Sequence, residues 1–305
     1  MSRPKKAPLV AEIKRNSLDD GPGIRSVVFF KGCPLHCVWC HNPECIRPEA
    51  EILYRQAVCM GCGACAAVCT AGALGAGGPA TLDREACTLC GACVEECPTG
   101  ALSLVGTAYT PEALARELAR DSAFYDNSGG GVTLSGGEPT LFMDYTASLA
   151  RTLRKQGIHV LLETCGAFPW EPFRKKLLPH LDQVFIDLKL SDDSLHQRFT
   201  GLGNERIKQN IRNLAQVSGL DVLVRVPLVP EVTATQGNLE ATASWLRSAG
   251  ISRVALLPYN PLWLTKARGL GRTPDYRRET WMSAEERAAV KEVFRVQGLE
   301  IVRDI

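Results

Sequence analysis

Long uncharged apolar runs are missing from this 305-residue chain, and so is an excess of charge of one sign. Lysine and arginine number 35 against 33 aspartates and glutamates, a net charge of +2. Nothing in that balance calls for nucleic acid or an anionic membrane as a partner. The start, MSRPKKAPLVAEIKRN, has basic residues but no apolar stretch of the kind that directs export. Charges interrupt every apolar segment before it reaches the length that crosses a bilayer, so no membrane span is expected. Without an export signal, cysteines at short regular spacings read as metal ligands and not as disulfides. The chain is therefore expected to be cytoplasmic and, given how readily exposed clusters oxidise, anaerobic. Its length and its 45% hydrophobic content suit one barrel-sized domain plus a small module.

Cysteine, by contrast, is plentiful, with 13 in all. Cys33, Cys37 and Cys40 stand at C-x3-C-x2-C spacing in the run KGCPLHCVWCHN. A cubane [4Fe–4S] cluster normally takes a thiolate on each iron. A loop that supplies only three leaves one iron open to a small molecule, as a catalytic metal site keeps a coordination position open. The plainer alternative is a structural zinc site with His36 or His41 as fourth ligand.

Eight further cysteines form an internal repeat. Cys59, Cys62, Cys65 and Cys69 read C-x2-C-x2-C-x3-C, and Cys87, Cys90, Cys93 and Cys97 repeat the spacing 28 residues later. Gly72-Ala73-Leu74 and Gly100-Ala101-Leu102 repeat with them. In bacterial two-cluster ferredoxins the fourth cysteine of each run ligates the other cluster. That pattern predicts one cluster on Cys59, Cys62, Cys65 and Cys97, and a second on Cys87, Cys90, Cys93 and Cys69. The proline usual after the fourth cysteine is present as Pro98 but replaced by Thr70 in the first half. Glycine and alanine between the cysteines let backbone N–H groups approach the sulfides and tune their potential. Paired zinc fingers fit the spacing less well. An electron wire and a purely structural role both remain open for this module, which is bounded at 51–105 within flanking segments 1–50 and 106–305. Cys45 and Cys165, left over, are expected to be buried as small hydrophobes.

Outside the module, apolar runs at 24–30, 132–135, 159–163, 184–188, 222–226 and 254–257 read as strands. Amphipathic helices are expected near 111–126, 142–156, 171–179, 204–217 and 237–249. Alternation of strand and helix argues for an α/β fold, a parallel sheet of six βα units curled toward a barrel. Chemistry in such barrels sits where strands end, and polar runs fall there: Ser135-Gly136-Gly137-Glu138-Pro139, Glu163-Thr164, Asp187-Leu188-Lys189, Arg225 and Asn260. A plain salt bridge between Lys189 and Asp187 is the simpler reading of that pair. The segment beyond Pro261, with Trp263, Lys266, Arg268, Arg272, Arg277 and Arg278, is expected to be a solvated charged face, with partner contact as the alternative.

The triple cysteine, preceded by Asp20-Gly21-Pro22-Gly23-Ile24-Arg25 and followed by the GGE run, resembles the radical S-adenosylmethionine enzymes. Within them it is similar to the glycyl-radical enzyme activating enzymes, over most of the chain. The resemblance implies a partial (β/α)6 barrel carrying an inserted two-[4Fe–4S] ferredoxin-like domain, three clusters in all, and S-adenosylmethionine as cofactor. It implies that the open iron chelates the cofactor's methionine part and that Gly136, Gly137 and Glu138 hold its amino group. Glu163, Thr164, Asp187, Leu188 and Lys189 would border its carboxylate and ribose, with Arg225 and Asn260 as further contacts. Several relatives have histidine where Asn260 stands, so a proton-transfer role there is not expected. Trp39, beside Cys40 and His41, would shield the cluster, pack near adenine or simply belong to the core. No catalytic side chain is implied, since the cofactor carries the chemistry. The implied activity is reductive cleavage of S-adenosylmethionine to a 5′-deoxyadenosyl radical, which abstracts hydrogen from a glycine of a partner enzyme. Flavodoxin or ferredoxin would donate the electron. A radical peptide maturase and, in a different class, a ferredoxin-like electron carrier with a silent barrel are the alternatives.

Overall fold

The computed structural model describes residues 7–75 and 78–303. The basic start, 1–6, the residues 76 and 77 of the cysteine-rich segment, and 304–305 lie outside the described residues. The chain opens on an antiparallel pair, β1 (Leu9–Ser17) and β2 (Arg25–Phe30), followed by the first cysteine loop. Then comes β3 (Glu51–Tyr54), a loop-rich segment with the short helices α1 (Ala64–Ala67) and α2 (Ala92–Glu95), and β4 (Leu102–Val105). β3 and β4 pair with each other, Glu51 opposite Val105 and Tyr54 opposite Leu102, and form a small sheet of their own.

The rest is a βα alternation. β5 (Thr107–Ala108) returns to the edge of β1, and α3 (Pro111–Ala119) and α4 (Ser122–Ser128) lead to β6 (Gly131–Gly136). After it come α5 (Met143–Lys155), β7 (His159–Thr164), α6 (Trp170–Lys176) and β8 (Gln183–Asp187). α7 (Asp193–Thr200), α8 (Glu205–Ala215), β9 (Asp221–Leu228), α9 (Gln236–Ser248) and β10 (Arg253–Pro258) follow. α10 (Trp263–Gly269), α11 (Ala284–Val296) and β11 (Glu300–Arg303) complete it. The large sheet has nine strands in the order β11-β10-β9-β8-β7-β6-β2-β1-β5. The neighbours from β2 through β11 are parallel, while β1 and β5 are antiparallel. All six expected strands are present within a residue or two at each end.

Because consecutive parallel strands are neighbours and such crossovers are right-handed, the helices collect on one face of the sheet. That face carries Val28, Val132, Leu134, Val160, Leu162, Val184, Ile186, Val224, Val254 and Leu256, all buried in the main core with α3, α5, α8 and α9. The strands are buried along nearly their whole length, as parallel strands covered on both sides must be. Among the described residues no helix is long and apolar enough to cross a membrane.

Three expectations change. The helix expected over 111–126 is two helices, broken at Arg120–Asp121, where the Asp121 carboxylate accepts from Arg15, Ser26 and Tyr125 and sits outside helical geometry. The helices α7, α10 and α11 and the strands β1 and β11 were not expected. The segment beyond Pro261 is largely not a solvated face: Trp263 is buried with its indole N–H on the Tyr259 hydroxyl, and Lys266, Arg272 and Arg278 are ion-paired within the chain to Glu44, Glu51 and Glu286.

Candidate cofactor and metal site

Two-residue periodicity assembles the cleft. On β7, β8, β9 and β10 the face away from the helices carries Leu161, Phe185, Leu223 and Ala255, a small apolar floor. Two residues farther along, the same face carries Glu163, Asp187 and Arg225. Parallel register sets Asp187 directly beside Arg225. Arg225 Nε donates to Asp187 Oδ1 at 2.8 Å, and its Nη1 donates to Glu163. Lys189 Nζ donates to Asp187 Oδ2 at 2.7 Å, and Ser135 Oγ to Glu163 Oε2 at 2.7 Å. The Lys189–Asp187 salt bridge is thus present, but as part of a larger row: two cations and two anions alternate with little exposure.

Their ionisation follows from that alternation. Burial pushes the Glu163 carboxyl up, with Arg225 pulling against it. Burial would raise Asp187 too, but Arg225 and Lys189 outweigh it and hold the group below the usual carboxylate range. For Lys189 burial works downward, yet Asp187 more than offsets it, and Arg225 behaves alike. The ammonium therefore stays charged at neutral pH. It keeps donors to spare for a carboxylate or hydroxyl of a ligand.

Cys33, Cys37 and Cys40 line the same cleft, a space of about 640 Å³. Their loop is fastened at both ends: Gly32 N–H donates to Cys45 O at 2.8 Å, Cys33 N–H to Ile46 O at 3.1 Å, and His36 N–H to Thr200 O at 2.7 Å. Burial pushes all three thiols up, Cys40 to about 12, so the bare thiolates are disfavoured. A bound cation reverses that preference, because a coordinating thiol gives up its proton. Three thiols from one short loop suit the corners of an iron–sulfur cluster, which spreads its ligands over separate irons.

Of the other expected contacts, Trp39, His41, Gly136, Gly137, Glu163, Thr164 and Asn260 also line the cleft. Trp39 is at once cleft wall and core. The Asn260 amide lies 3.5 Å from His41 Nδ1, while His41 Nε2 is buried without a protein partner. Gly136 and Gly137 line the cleft through their backbone, and the side that a side chain would occupy at Gly137 is filled by the root of the cysteine loop: a Cβ there would lie 2.2 Å from Gly32 O and 2.6 Å from Cys45 O. Glu138 and Leu188 do not line the cleft. Leu188 is core, and the buried Glu138 carboxylate accepts from Thr140 N–H at 3.0 Å, Thr164 Oγ1 at 2.8 Å and Cys165 N–H at 2.7 Å. It ties the end of β6 to the end of β7. Cys45 and Cys165 are both buried, as expected of small hydrophobes, and Cys165 also reaches the cleft wall.

Five cleft-lining residues were not singled out as contacts by the sequence reading. Ser135 was visible only as part of the glycine-rich run. Lys14, Asp19 and Asp20 arrive because the Asp-Gly-Pro-Gly turn folds over the inner face of the sheet. Thr133 Oγ1 holds that turn by donating to Asp20 O at 2.7 Å, and Arg25, fully buried, donates to Thr133 Oγ1 and Val132 O. Burial without a carboxylate partner lowers Arg25 to about 10. Trp281, 58% exposed, stands on the cleft rim with no motif to announce it.

The cysteine-rich segment has its own small core of Ile52, Cys65, Leu74, Cys93 and Leu102. Cys69, from the first run, shares a pocket with Cys87, Cys90 and Cys93 of the second. Cys65 feels the charges of Cys59 and Cys62, and the Cys97 thiol is lowered by backbone N–H groups of Leu102, Ala101 and Thr99.

A protein-family profile described as "4Fe-4S single cluster domain" matches residues 19–208. The trans-4-hydroxy-L-proline dehydratase activating enzyme of Clostridioides difficile is 41% identical over 257 residues, 83% of this chain and 84% of its own. The benzylsuccinate synthase activating enzyme of Thauera aromatica is 38% identical over 304 residues, 97% of this chain and 90% of its own. Among solved structures, a domain of a pyruvate-formate lyase-activating enzyme from Bacteroides vulgatus aligns with 57% of this chain and 98% of its own. It does so at 26% identity and a TM-score of 0.47.

Proposed function

This chain belongs to the glycyl-radical enzyme activating enzymes, and from that premise we propose how the residues of its cleft divide the work. With a [4Fe–4S] cluster and S-adenosylmethionine bound, the activity is reductive cleavage of the cofactor to a 5′-deoxyadenosyl radical that takes a hydrogen from a partner's glycine. Cys33, Cys37 and Cys40 would hold the cluster, three thiolates for four irons, so that one would stay open to a small ligand. Lys189 meets the cofactor's carboxylate, its own charge secured by Asp187. Glu163, Thr164 and Arg225 form the wall beside the ribose, and the Gly136–Gly137 backbone faces the amino group. Trp39, His41 and Asn260 close the side where the base lies. Glu138 acts at one remove, by fixing the β6 and β7 ends that carry these groups. No side chain is required as acid or base. The observation that carries this reading is the single cleft uniting three thiols with the strand-end row Ser135, Glu163, Asp187, Lys189 and Arg225.

The chain then divides into 1–50 and 106–305, which form a partial (β/α)6 barrel, and the insertion 51–105, a ferredoxin-like module with two more [4Fe–4S] clusters. The pocket shared by Cys69, Cys87, Cys90 and Cys93 supports the crossed ligand pattern, with Cys59, Cys62, Cys65 and Cys97 holding the other cluster. Flavodoxin or ferredoxin supplies the electron in an anaerobic cytoplasm. The test is anaerobic incubation of dithionite-reduced protein with S-adenosylmethionine, followed by assay of 5′-deoxyadenosine. Product is expected from the wild type and not from Cys37→Ala. A wild type that binds iron yet yields no product refutes the site assignment. With a protein donor in place of dithionite, Cys62→Ala is expected to slow the reaction more; equal loss with both donors assigns the module a folding role instead.

A further inference from the structure

Beside the cleft lies a second cavity, of about 250 Å³. Two short stretches of chain divide the two spaces. Pro227, Leu228 and Val229 face the cleft, and Pro230 and Glu231, next in sequence, face the cavity. Trp281 stands on the cleft rim, and Met282 beside it lines the cavity. The first stretch is the end of β9 and the turn after it, at the edge of the sheet where the strand-end row lies. A partner that puts its glycine into the cleft therefore lies across the wall between the two spaces.

The cavity has an apolar floor and a charged wall. Leu239 of α9, Met282 and Val290 of α11 make the floor, each buried. Glu231, Arg278 and Glu286 make the wall. Arg278 is fully engaged within the chain: Nη1 and Nη2 donate to Glu286 at 2.8 and 2.7 Å, Nη2 also to Trp281 O at 3.1 Å, and Nε to Thr280 O at 3.2 Å. Its charge is balanced by Glu286, which leaves the exposed Glu231 as one carboxylate in excess. Glu231 has a φ of +65, a conformation uncommon outside glycine. The turn imposes it: Val229 O accepts from the N–H groups of Val232, Thr233 and Ala234, Thr233 Oγ1 accepts from Val229 N–H at 2.6 Å, and Tyr276 donates to Pro230 O at 3.0 Å. The carboxylate is thus held at a fixed place above the floor.

The space is smaller than the roughly 300–1,000 Å³ of small-molecule sites, so it suits a side chain better than a free cofactor. An apolar floor under one carboxylate matches a lysine or arginine, which buries its stem and keeps its charged head at the surface. A glycine offers no side chain to recognise, so a partner must be selected by what flanks it. We propose that this cavity receives one basic side chain of the partner enzyme, its stem on Leu239, Met282 and Val290 and its charge at Glu231. The cavity is then a specificity subsite beside the cleft, and it rests on the activating reading above.

Met282 reports occupancy directly, since the chain has only four methionines. Full-length, cluster-loaded protein labelled with carbon-13 at the methionine methyls is titrated with Nα-acetyl-lysine methylamide and followed by NMR. A saturable shift of the Met282 methyl is expected. The norleucine analogue, with the same stem and no charge, is expected to bind about two- to fivefold more weakly, the worth of an exposed charge pair. Glu231→Gln should erase that difference, and Ala289→Phe, which fills the cavity and keeps its charges, should abolish the shift. A Met282 methyl unmoved by the lysine probe, equal binding of the two probes, or a difference that survives Glu231→Gln overturns the site. Blocked peptides with one glycine and one lysine at increasing spacings, on either side, then test the link to the cleft. At one spacing or more, tighter binding is expected than for the lysine probe or a lysine-free peptide. If no spacing does better than the lysine probe, the cavity does not serve the partner and the assignment falls. Formation of 5′-deoxyadenosine without peptide judges the activating reading by itself: its absence refutes that reading and leaves the probe titrations as they are.

Discussion

Single residues in this protein act through what stands within a bond length or two of them. Gly137 is the clearest case. Its missing side chain admits the carbonyls of Gly32 and Cys45, so Gly137→Ala forces the backbone at the root of the cysteine loop apart. The expected cost is about 1–3 kcal/mol, read by urea unfolding, together with weaker iron retention by the loop. Arg225 is the charge counterpart. Arg225→Met leaves Glu163 buried without its cation and Asp187 with Lys189 alone, at an expected cost of about 3–5 kcal/mol near neutral pH. Glu163 already sits above its ordinary range because of burial, and loss of Arg225 raises it further. Protonation therefore relieves the variant, and its deficit in Tm should shrink as pH falls from 7 to 5. Asp187 has the opposite sign. Its native value is depressed, so the stability it contributes is present above its ordinary value of roughly 4 and vanishes as acid titrates the native group. Asp187→Asn should flatten the acid limb of a Tm-against-pH curve; an unchanged limb would contradict the ion-paired row.

At the scale of elements, the legible features were those set by local chemistry. The six core strands could be read as apolar runs because parallel strands covered on both faces need no alternation. Thr110 and Pro111 make a local start signal for α3, and the Thr110 hydroxyl caps it, accepting from Ala113 N–H at 3.1 Å. The break between α3 and α4 was not legible, because Asp121 leaves helical geometry among partners from β1 and β2 that lie 106 and 95 residues distant. The segment beyond Pro261 misled for the same reason: its cations look solvated in sequence, and Lys266, Arg272 and Arg278 meet glutamates brought by other elements. Glycines of the insertion teach a different lesson from Gly137. Gly63 has φ +76 with open space around it, so Gly63→Ala pays only for left-handed backbone, about 1–2 kcal/mol. Thermal melts should show a smaller loss than for Gly137→Ala, and iron should stay bound.

For the whole molecule, the contrast is between a large core and a small one. The sheet buries dozens of apolar side chains, whereas the insertion's own cluster joins five buried ones, two of them cysteines. Under the proposed two-cluster reading, metal holds so small a core together. Removing iron with a chelator under anaerobic conditions should expose residues 55–101 to protease while the sheet still melts cooperatively. Reloading with iron and sulfide should restore protection. If the iron-free protein resists cleavage there, the segment is held by packing, and the clusters are not its scaffold.

Ligand types, their spacing and the order of strands along the chain were decided by sequence alone, because thiol chemistry and apolar runs are local properties. Which face each strand-end residue took was legible only from period-two geometry once the strands were placed. Tertiary structure alone set Glu138 behind the cleft instead of in it, filled the space beside Gly137 with the protein's own backbone, and put Trp281 at the rim. Each depends on segments that meet only after the sheet has curled, and no local pattern encodes the distance between them.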